Sequence, residues 1–365
     1  MAEPLLEEVS PNGNIQAVVE SDDEVCYFYL FAAPDTQLGM KSVWVGNRSR
    51  APQALEIERL RSGSPSRNPA RHCRHTAGRA APAAEDLRVV WLPEGNGAAL
   101  YERDEILAII PPWSGIKGFY GYARDAIGDG PVAWELDPNN VLIERFKQAQ
   151  SYWRQWDGNE LWPSIQSAQL SRIEKVFDVY FPRNSGEADP ATDVTGGRHT
   201  KYYAIDGDKW PPKAMVRFEW KGRTVLVTVG VALRPQPNVE MATETPERLR
   251  RIELGVVLPG NWSEEAVQGF ERYISAQSGL PWDKYTWLGP GHTIRCDYWQ
   301  NPDYTAALLQ REHSGASQVA LEKFLGDPVN LLWFVPISEE ERQVAINQGS
   351  ERLKSHLPAD RWKQA

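Results

Sequence analysis

Cysteine is scarce in this chain of 365 residues: Cys26, Cys73 and Cys296 are the only three, and they lie far apart. A disulfide framework needs more cysteines in recurrent spacing, so reduced thiols and a cytoplasmic setting are expected. Long apolar runs are missing too, and no stretch approaches the roughly 18 residues of a spanning helix. The opening Met1-Ala2-Glu3-Pro4 has neither the basic nor the apolar region of an export signal. Positive charge is also in deficit, with a net charge of −9. A nucleic-acid binder replaces counterions along phosphates with Lys and Arg, so this balance disfavours that role. Neither nucleic acid nor membrane is an expected partner.

The common catalytic and cofactor signatures are absent as well. Gly289-Pro290-Gly291 is not followed by the Gly-Lys-Ser/Thr of a phosphate loop. Gly115, Gly118 and Gly121 lack the close pair of a dinucleotide fingerprint. Asp206-Gly207-Asp208 begins like a calcium loop but has no glutamate at the required offset. No Gly-x-Ser-x-Gly or His-Glu-x-x-His occurs, and no carboxylate pair is convincing as a catalytic one. His72-Cys73-Arg74-His75 resembles half a metal site, and zinc needs a second pair that the chain does not supply. The expectation is no metal, no cofactor and no catalytic residue.

The chain does carry fifteen tryptophans, within a composition that is 41% hydrophobic and 24% charged. That is the balance of a globular protein, and the length suggests two domains. Residues 1–138 read as a β-rich N-terminal domain. Glu24 to Ala33, Lys41 to Val45, Leu87 to Leu92 and Glu105 to Ile110 are short aromatic or β-branched runs between turn signals. Between them Arg48, Arg50, Arg59, Arg61, Arg67, Arg71, Arg74 and Arg79 share a Pro/Ser/Gly-rich span, expected to be a solvated loop.

Residues 139–365 form the second domain, led by two helices. The first carries Leu142, Phe146, Ala149, Trp153 and Trp156 at helical spacing behind Asn139 or Asn140. The second starts at Pro163 and carries Leu170, Ile173, Phe177 and Tyr180. Met215 to Trp220 and Thr224 to Leu233 then predict a hairpin across Lys221-Gly222, and Arg251 to Leu258 a further strand. Asn261 with Glu264 predicts a capping box for a helix closed at Gly279. Val329 to Ile337 reads as a central strand covered on both faces. Ser338 with Glu341 predicts a second capping box, opening a helix that carries Ile346, Leu353 and Leu357.

Two loops concentrate aromatic side chains beside glycines. One is Trp113 to Asp125, with Phe119, Tyr120, Tyr122 and Arg124. The other is Trp287 to Ile294, with Trp287 and His292 around Gly289-Pro290-Gly291. Each reads either as a contact surface or as tight core packing. The second has a further reading, a catalytic loop in which His292 and Cys296 pair, but no orienting third group accompanies them.

Four blocks in the C-terminal half resemble the suppressor of fused family. They are Val225 to Leu233, Arg251 to Pro259, Trp262 to Tyr273 with the Gly291-His292-Thr293-Ile294 loop, and Val329 to Ile337 with Ser338 to Arg342 and Gly349-Ser350. The likeness spans about Lys175 to Leu357. It implies an α/β (α+β) domain with a central mixed sheet flanked by helices, preceded here by the β-rich N-terminal domain. Animal members of the family bind transcription factors by clamping a short peptide as an added strand. Bacterial-type members include immunity proteins that neutralise toxin domains. The resemblance therefore implies a non-catalytic protein-binding module whose partner is another protein, such as a cognate toxin domain; the oligomeric state stays open, with a monomer slightly favoured. A peptide-binding signalling scaffold is the alternative within that class, and an enzyme with a site near His292 the alternative outside it.

Overall fold

The computed structural model describes the chain except for residues 1–3, 12, 37, 113–118, 158–199, 202–213, 220–221 and 314–319. It divides into two compact units, Met1–Gly158 with Trp282–Tyr285, and Asn159–Pro281 with Thr286–Ala365. The expected helix from Pro163 to Tyr180 and the loop from Arg183 to His199 lie outside the described residues.

Alternation of apolar and polar side chains builds the first unit. Strands β1 (Leu6–Val9), β2 (Ile15–Ser21), β3 (Val25–Ala32) and β4 (Met40–Asn47) form an antiparallel sheet in that order. Strands β5 (Leu87–Trp91), β6 (Ala98–Glu102), β7 (Glu105–Ile110), β8 (Tyr122–Ala123) and β9 (Trp134–Glu135) form a second sheet, antiparallel except for the parallel β8–β9 pair. Successive side chains on a strand face opposite ways. In β3, Phe28 and Leu30 turn inward with Ile15, Ala17, Val19 and Val43, and meet Trp91, Ala98, Leu100 and Ala108 in one core. A short helix α1 (Ile57–Arg61) follows β4, and α2 (Val141–Asp157) follows β9. Leu142, Phe146 and Ala149 of α2 cover Val90, Leu92, Ala99 and Ile109 on the outer face of the second sheet. As the sequence suggested, Asn140 caps this helix, its side-chain oxygen accepting from the Leu142 N–H at 3.0 Å.

The arginine-rich span is not the solvated loop its composition suggested. It folds onto the ends of β3 and β4, where the Tyr27 hydroxyl donates to the Ser66 carbonyl at 2.7 Å and the buried Asn47 amide to the Asn68 carbonyl at 2.8 Å. Several of its cations are engaged by carboxylates. Arg67 makes a two-pronged contact with Glu56 at 2.7 and 3.2 Å, Arg79 reaches Asp125 and Glu102, Arg74 reaches Glu135, and Arg59 reaches Glu24. Most of these acids lie well outside the run, so the run alone could not reveal the pairing.

The exposed edge of the second sheet is closed by side chains. Ladder bonds from Arg103 N–H to Asp86 and from Leu92 N–H to Gly97 turn the backbone groups of Val89 and Trp91 away from β6. The Glu8 carboxylate, on β1, accepts from the Val89 N–H and from the Trp91 indole. The Trp153 indole of α2 donates to the Trp91 carbonyl at 2.7 Å. Burial, partly offset by these two donors, raises the Glu8 pKa above its ordinary value.

The second unit is one eight-stranded mixed sheet. Its strands are β10 (Thr200–Lys201), β11 (Ala214–Glu219), β12 (Arg223–Val229), β13 (Ile252–Pro259), β14 (Thr293–Arg295), β15 (Ala306–Gln310), β16 (Ala320–Phe324) and β17 (Asp327–Ile337). They run in the order β10-β11-β12-β13-β17-β15-β14, with β16 also on β17. β13 and β17 pair in parallel and the other ladders are antiparallel. The helices among the described residues are α3 (Val239–Ala242), α4 (Glu264–Asp283), α5 (Glu339–Gln348) and α6 (Ser350–Lys354). α4 lays Phe270 against Trp299 and Phe334 on one face. α5 and α6 lay Ala345 and Leu353 against Ala306, Leu308 and Ile337 on the other. The burial of β17 between two helical layers is what its apolar run from Leu331 to Ile337 requires.

Three boundaries differ from expectation. The strand expected to reach Leu233 stops at Val229, because Gly230 at φ 102° turns the chain into a single 3-10 turn, Val231–Leu233. The side-chain cap of α4 is Ser263, whose hydroxyl accepts from the Ala266 N–H at 3.2 Å, and the helix runs through Gly279 to Asp283. The capping box of Ser338 and Glu341 forms as expected, but Gly349 at φ 90° splits the helix behind it into α5 and α6.

Candidate functional site

β14 is the last strand of its sheet, and β15 pairs with one edge of it: Thr293 opposes Leu308, Ile294 opposes Ala307 and Arg295 opposes Ala306. Bonds from Leu309 N–H to the His292 carbonyl (2.8 Å) and from Cys296 N–H to the Thr305 carbonyl (2.9 Å) set the phase of the ladder. Antiparallel alternation then directs the backbone groups of Thr293 and Arg295 to the other edge. The Tyr273 hydroxyl of α4 occupies the Arg295 carbonyl. No described strand pairs with Thr293 there.

Beside this edge lies a groove of ≈ 490 Å³, lined by Leu280 of α4, by Trp287, His292, Ile294 and Arg295, and by Ile346 of α5. Ile346 is 55% exposed, which leaves an apolar side chain in solvent at the groove wall. The Trp287 and His292 rings meet edge to face at 4.3 Å. The two glycines make that loop possible. A Cβ at Gly289 would stand 2.3 Å from the Trp287 ring, and one at Gly291, where φ is +88°, would stand 2.2 Å from the Ser350 hydroxyl. Gly-Pro-Gly is thus a requirement of packing.

The loop is held from within by Gln236. Its buried amide accepts from the Leu288 N–H at 2.8 Å and donates to the Leu288 carbonyl at 3.0 Å, pairing with this residue as a strand would. Gln236 follows the 3-10 turn, which β13 grips at both ends. The Glu253 carboxylate accepts from Gly230 N–H (2.9 Å), Ala232 N–H (3.1 Å) and the Thr228 hydroxyl (2.7 Å). Arg251 donates to the Ala232 and Leu233 carbonyls and also pairs with Asp327. Complete burial pushes the Glu253 pKa up to about 7, against the pull of its hydrogen bonds.

Titration at the loop is unlike that of a nucleophile and base. Burial lowers the His292 pKa, so the imidazole is neutral near pH 7. Burial pushes the Cys296 thiol up to about 12, so it stays protonated. The arrangement can accept an apolar side chain against Trp287 and Ile346, offer the Thr293 backbone to an extended chain, and place Arg295 for a carboxylate.

The other aromatic loop lies in the first unit, and Trp113 falls outside the described residues. Phe119 is buried, with its ring 5.1 Å from Tyr122 and 4.8 Å from Trp134, so these rings pack on one another. Arg124 reaches Glu102, Glu105 and Asp125. Tyr120, at 43% exposure, is the aromatic of this loop turned to solvent. The metal-like residues of the arginine span diverge: His72 meets the Ile127 carbonyl, Cys73 donates to the Asn68 carbonyl and His75 faces Asp125.

Trp287 and His292 are thus brought together at one groove. Leu280 and Gln236 were not singled out from the sequence, and Ile346 was named there only as an apolar position of its helix. A usable signal existed for Ile346, an apolar residue on the charged helix Glu339–Gln348, but none for Gln236.

Residues 209–363 match the family model described as Suppressor of fused protein (SUFU), so this segment is similar to a suppressor of fused domain. A solved structure described as "the Sufu-Fu complex crystal structure" is similar at 14% identity and a TM-score of 0.31, over 52% of this chain and 82% of that one. No curated protein matches.

Proposed function

We propose that this suppressor of fused-like domain is a non-catalytic recognition module that takes a segment of a partner protein into the groove at β14. The observation that carries the reading is the coincidence of an open strand edge at Thr293 with the apolar groove of Trp287, Leu280 and Ile346. Backbone pairing supplies affinity in such a contact and the groove supplies selectivity. Neutralisation of a toxin domain by occlusion is the use that fits best. A net charge of −9 would speed association with a basic toxin at low salt.

The test is co-purification with the product of a neighbouring toxin gene, comparing the wild type with Trp287→Ala. Loss of a central aromatic anchor should weaken the complex by about tenfold or more, with an unchanged circular dichroism spectrum. Absence of a complex with the wild-type protein, or equal affinity for the variant, would overturn the reading. His292→Ala separates the enzyme alternative, since abolished turnover in a folded variant would establish catalysis there.

A further inference from the structure

The two sheets of the first unit differ in what covers their outer faces. The second sheet carries α2. Among the described residues, the first is covered at one end, where the arginine-rich span meets the Tyr27 hydroxyl. Register places the remaining outward residues in rows across the strands. Val9, Gln16, Phe31 and Met40 form one row, and Glu7, Val18, Tyr29 and Ser42 the next. Val9 is 58% exposed, Phe31 40% and Met40 56%. Along β3 the rings of Tyr27, Tyr29 and Phe31 stack at 5.7 and 5.5 Å, forming an aromatic ladder that ends in solvent.

Charge on this face has one sign. Its outward-facing ionisable residues on β1 and β2 are Glu7 and Glu20, both exposed. Lys41, the basic residue of β4, points to the opposite face, where its amine donates to the Pro111 and Pro112 carbonyls. No outward-facing residue of the four strands is Lys or Arg. Burial first, and then the Glu20 charge, raise the Tyr29 hydroxyl pKa.

We propose that the outer face of β1–β4 docks a cationic segment, bearing arginine or lysine, of a partner protein. Carboxylates beside an exposed aromatic ladder suit such side chains. A guanidinium stacks on the rings while its neighbours meet Glu7 and Glu20, and the aliphatic stems cover Val9, Phe31 and Met40. This surface lies outside residues 209–363, so it is independent of the groove at β14.

An octa-arginine peptide is the probe, titrated into the full chain with binding read by fluorescence anisotropy and the footprint by hydrogen exchange. Protection of β3 and β4 is expected. Phe31→Ser with Met40→Ser keeps the charge and should weaken binding by about fivefold. Glu7→Gln with Glu20→Gln should weaken it further at low salt, and octa-lysine should bind less tightly than octa-arginine. Circular dichroism confirms that each variant is folded, and Met40→Ser alone replaces the double variant if that fails to fold. Equal affinity for wild type and the Phe31/Met40 variant, or protection elsewhere, would overturn the proposal by revealing general attraction to an acidic protein. Sedimentation gives the other adverse result: self-association abolished by Phe31→Ser would assign the face to a second copy of the chain.

Discussion

Glu8 and Glu253 are both carboxylates that accept backbone N–H groups, one in each unit, yet they do different things. Glu8 closes the edge of β5 from a half-buried position and shares the task with Trp153. Glu253 lies at 1% exposure and holds the turn that leads through Gln236 to the groove loop. The first unit seals its exposed edge. The second invests its buried charge in shaping a loop and leaves the edge at Thr293 open. An edge is a liability unless it is covered or used, so the contrast supports the proposed use of the β14 edge by a partner.

The largest expected effect concerns Glu253. Its folded pKa is raised to about 7 from an ordinary value of 4.5. The folded state therefore binds the proton more tightly than the unfolded chain. This contribution to stability is fully present below pH 4.5 and is lost as pH rises to about 7. The total is on the order of 3 kcal/mol. Urea midpoints measured between pH 4.5 and 8 should show this loss in the wild type and a flatter profile in Glu253→Gln. Parallel profiles would mean that Glu253 does not titrate in this range, and the contrast with Glu8 would shrink to one of position.

Glu8→Ala should have the next largest effect. It strands two donors, the Val89 N–H and the Trp91 indole, and should cost about 2 kcal/mol in urea unfolding. It also unseals β5, so light scattering should rise with concentration. Glu8→Gln keeps an acceptor and should recover most of both. An unchanged midpoint in Glu8→Ala would show that water replaces the carboxylate and that the edge needs no seal.

Legibility of these features in the sequence follows the range of the interactions behind them. The strand Glu105 to Ile110 and the capping box of Ser338 and Glu341 were legible because periodicity and capping act over a few residues. The groove was half legible. Trp287, His292 and the glycines form one run, but Ile346 reaches them from a helix more than fifty residues later. The arginine span was misread for the same reason, since Glu102, Asp125 and Glu135 lie beyond it. The stop at Val229 was obscured because Val231 to Leu233 continue the apolar pattern after Gly230 has already turned the chain.

The smallest expected effect on stability is also the sharpest test of the open edge. In β14 the backbone of Ile294 faces β15, while the N–H of Thr293 faces outward. Thr293→Pro removes that N–H and leaves the ladder to β15 untouched, a position where edge strands tolerate proline. The cost in urea unfolding should stay within about 1 kcal/mol. A partner that adds as a strand loses one backbone bond and meets the pyrrolidine ring, so its affinity should fall by about tenfold. A partner that docks only its side chains into the groove would be indifferent to Thr293→Pro and still sensitive to Trp287→Ala. The pair of variants thus separates an edge used for strand addition from an edge that is merely uncovered.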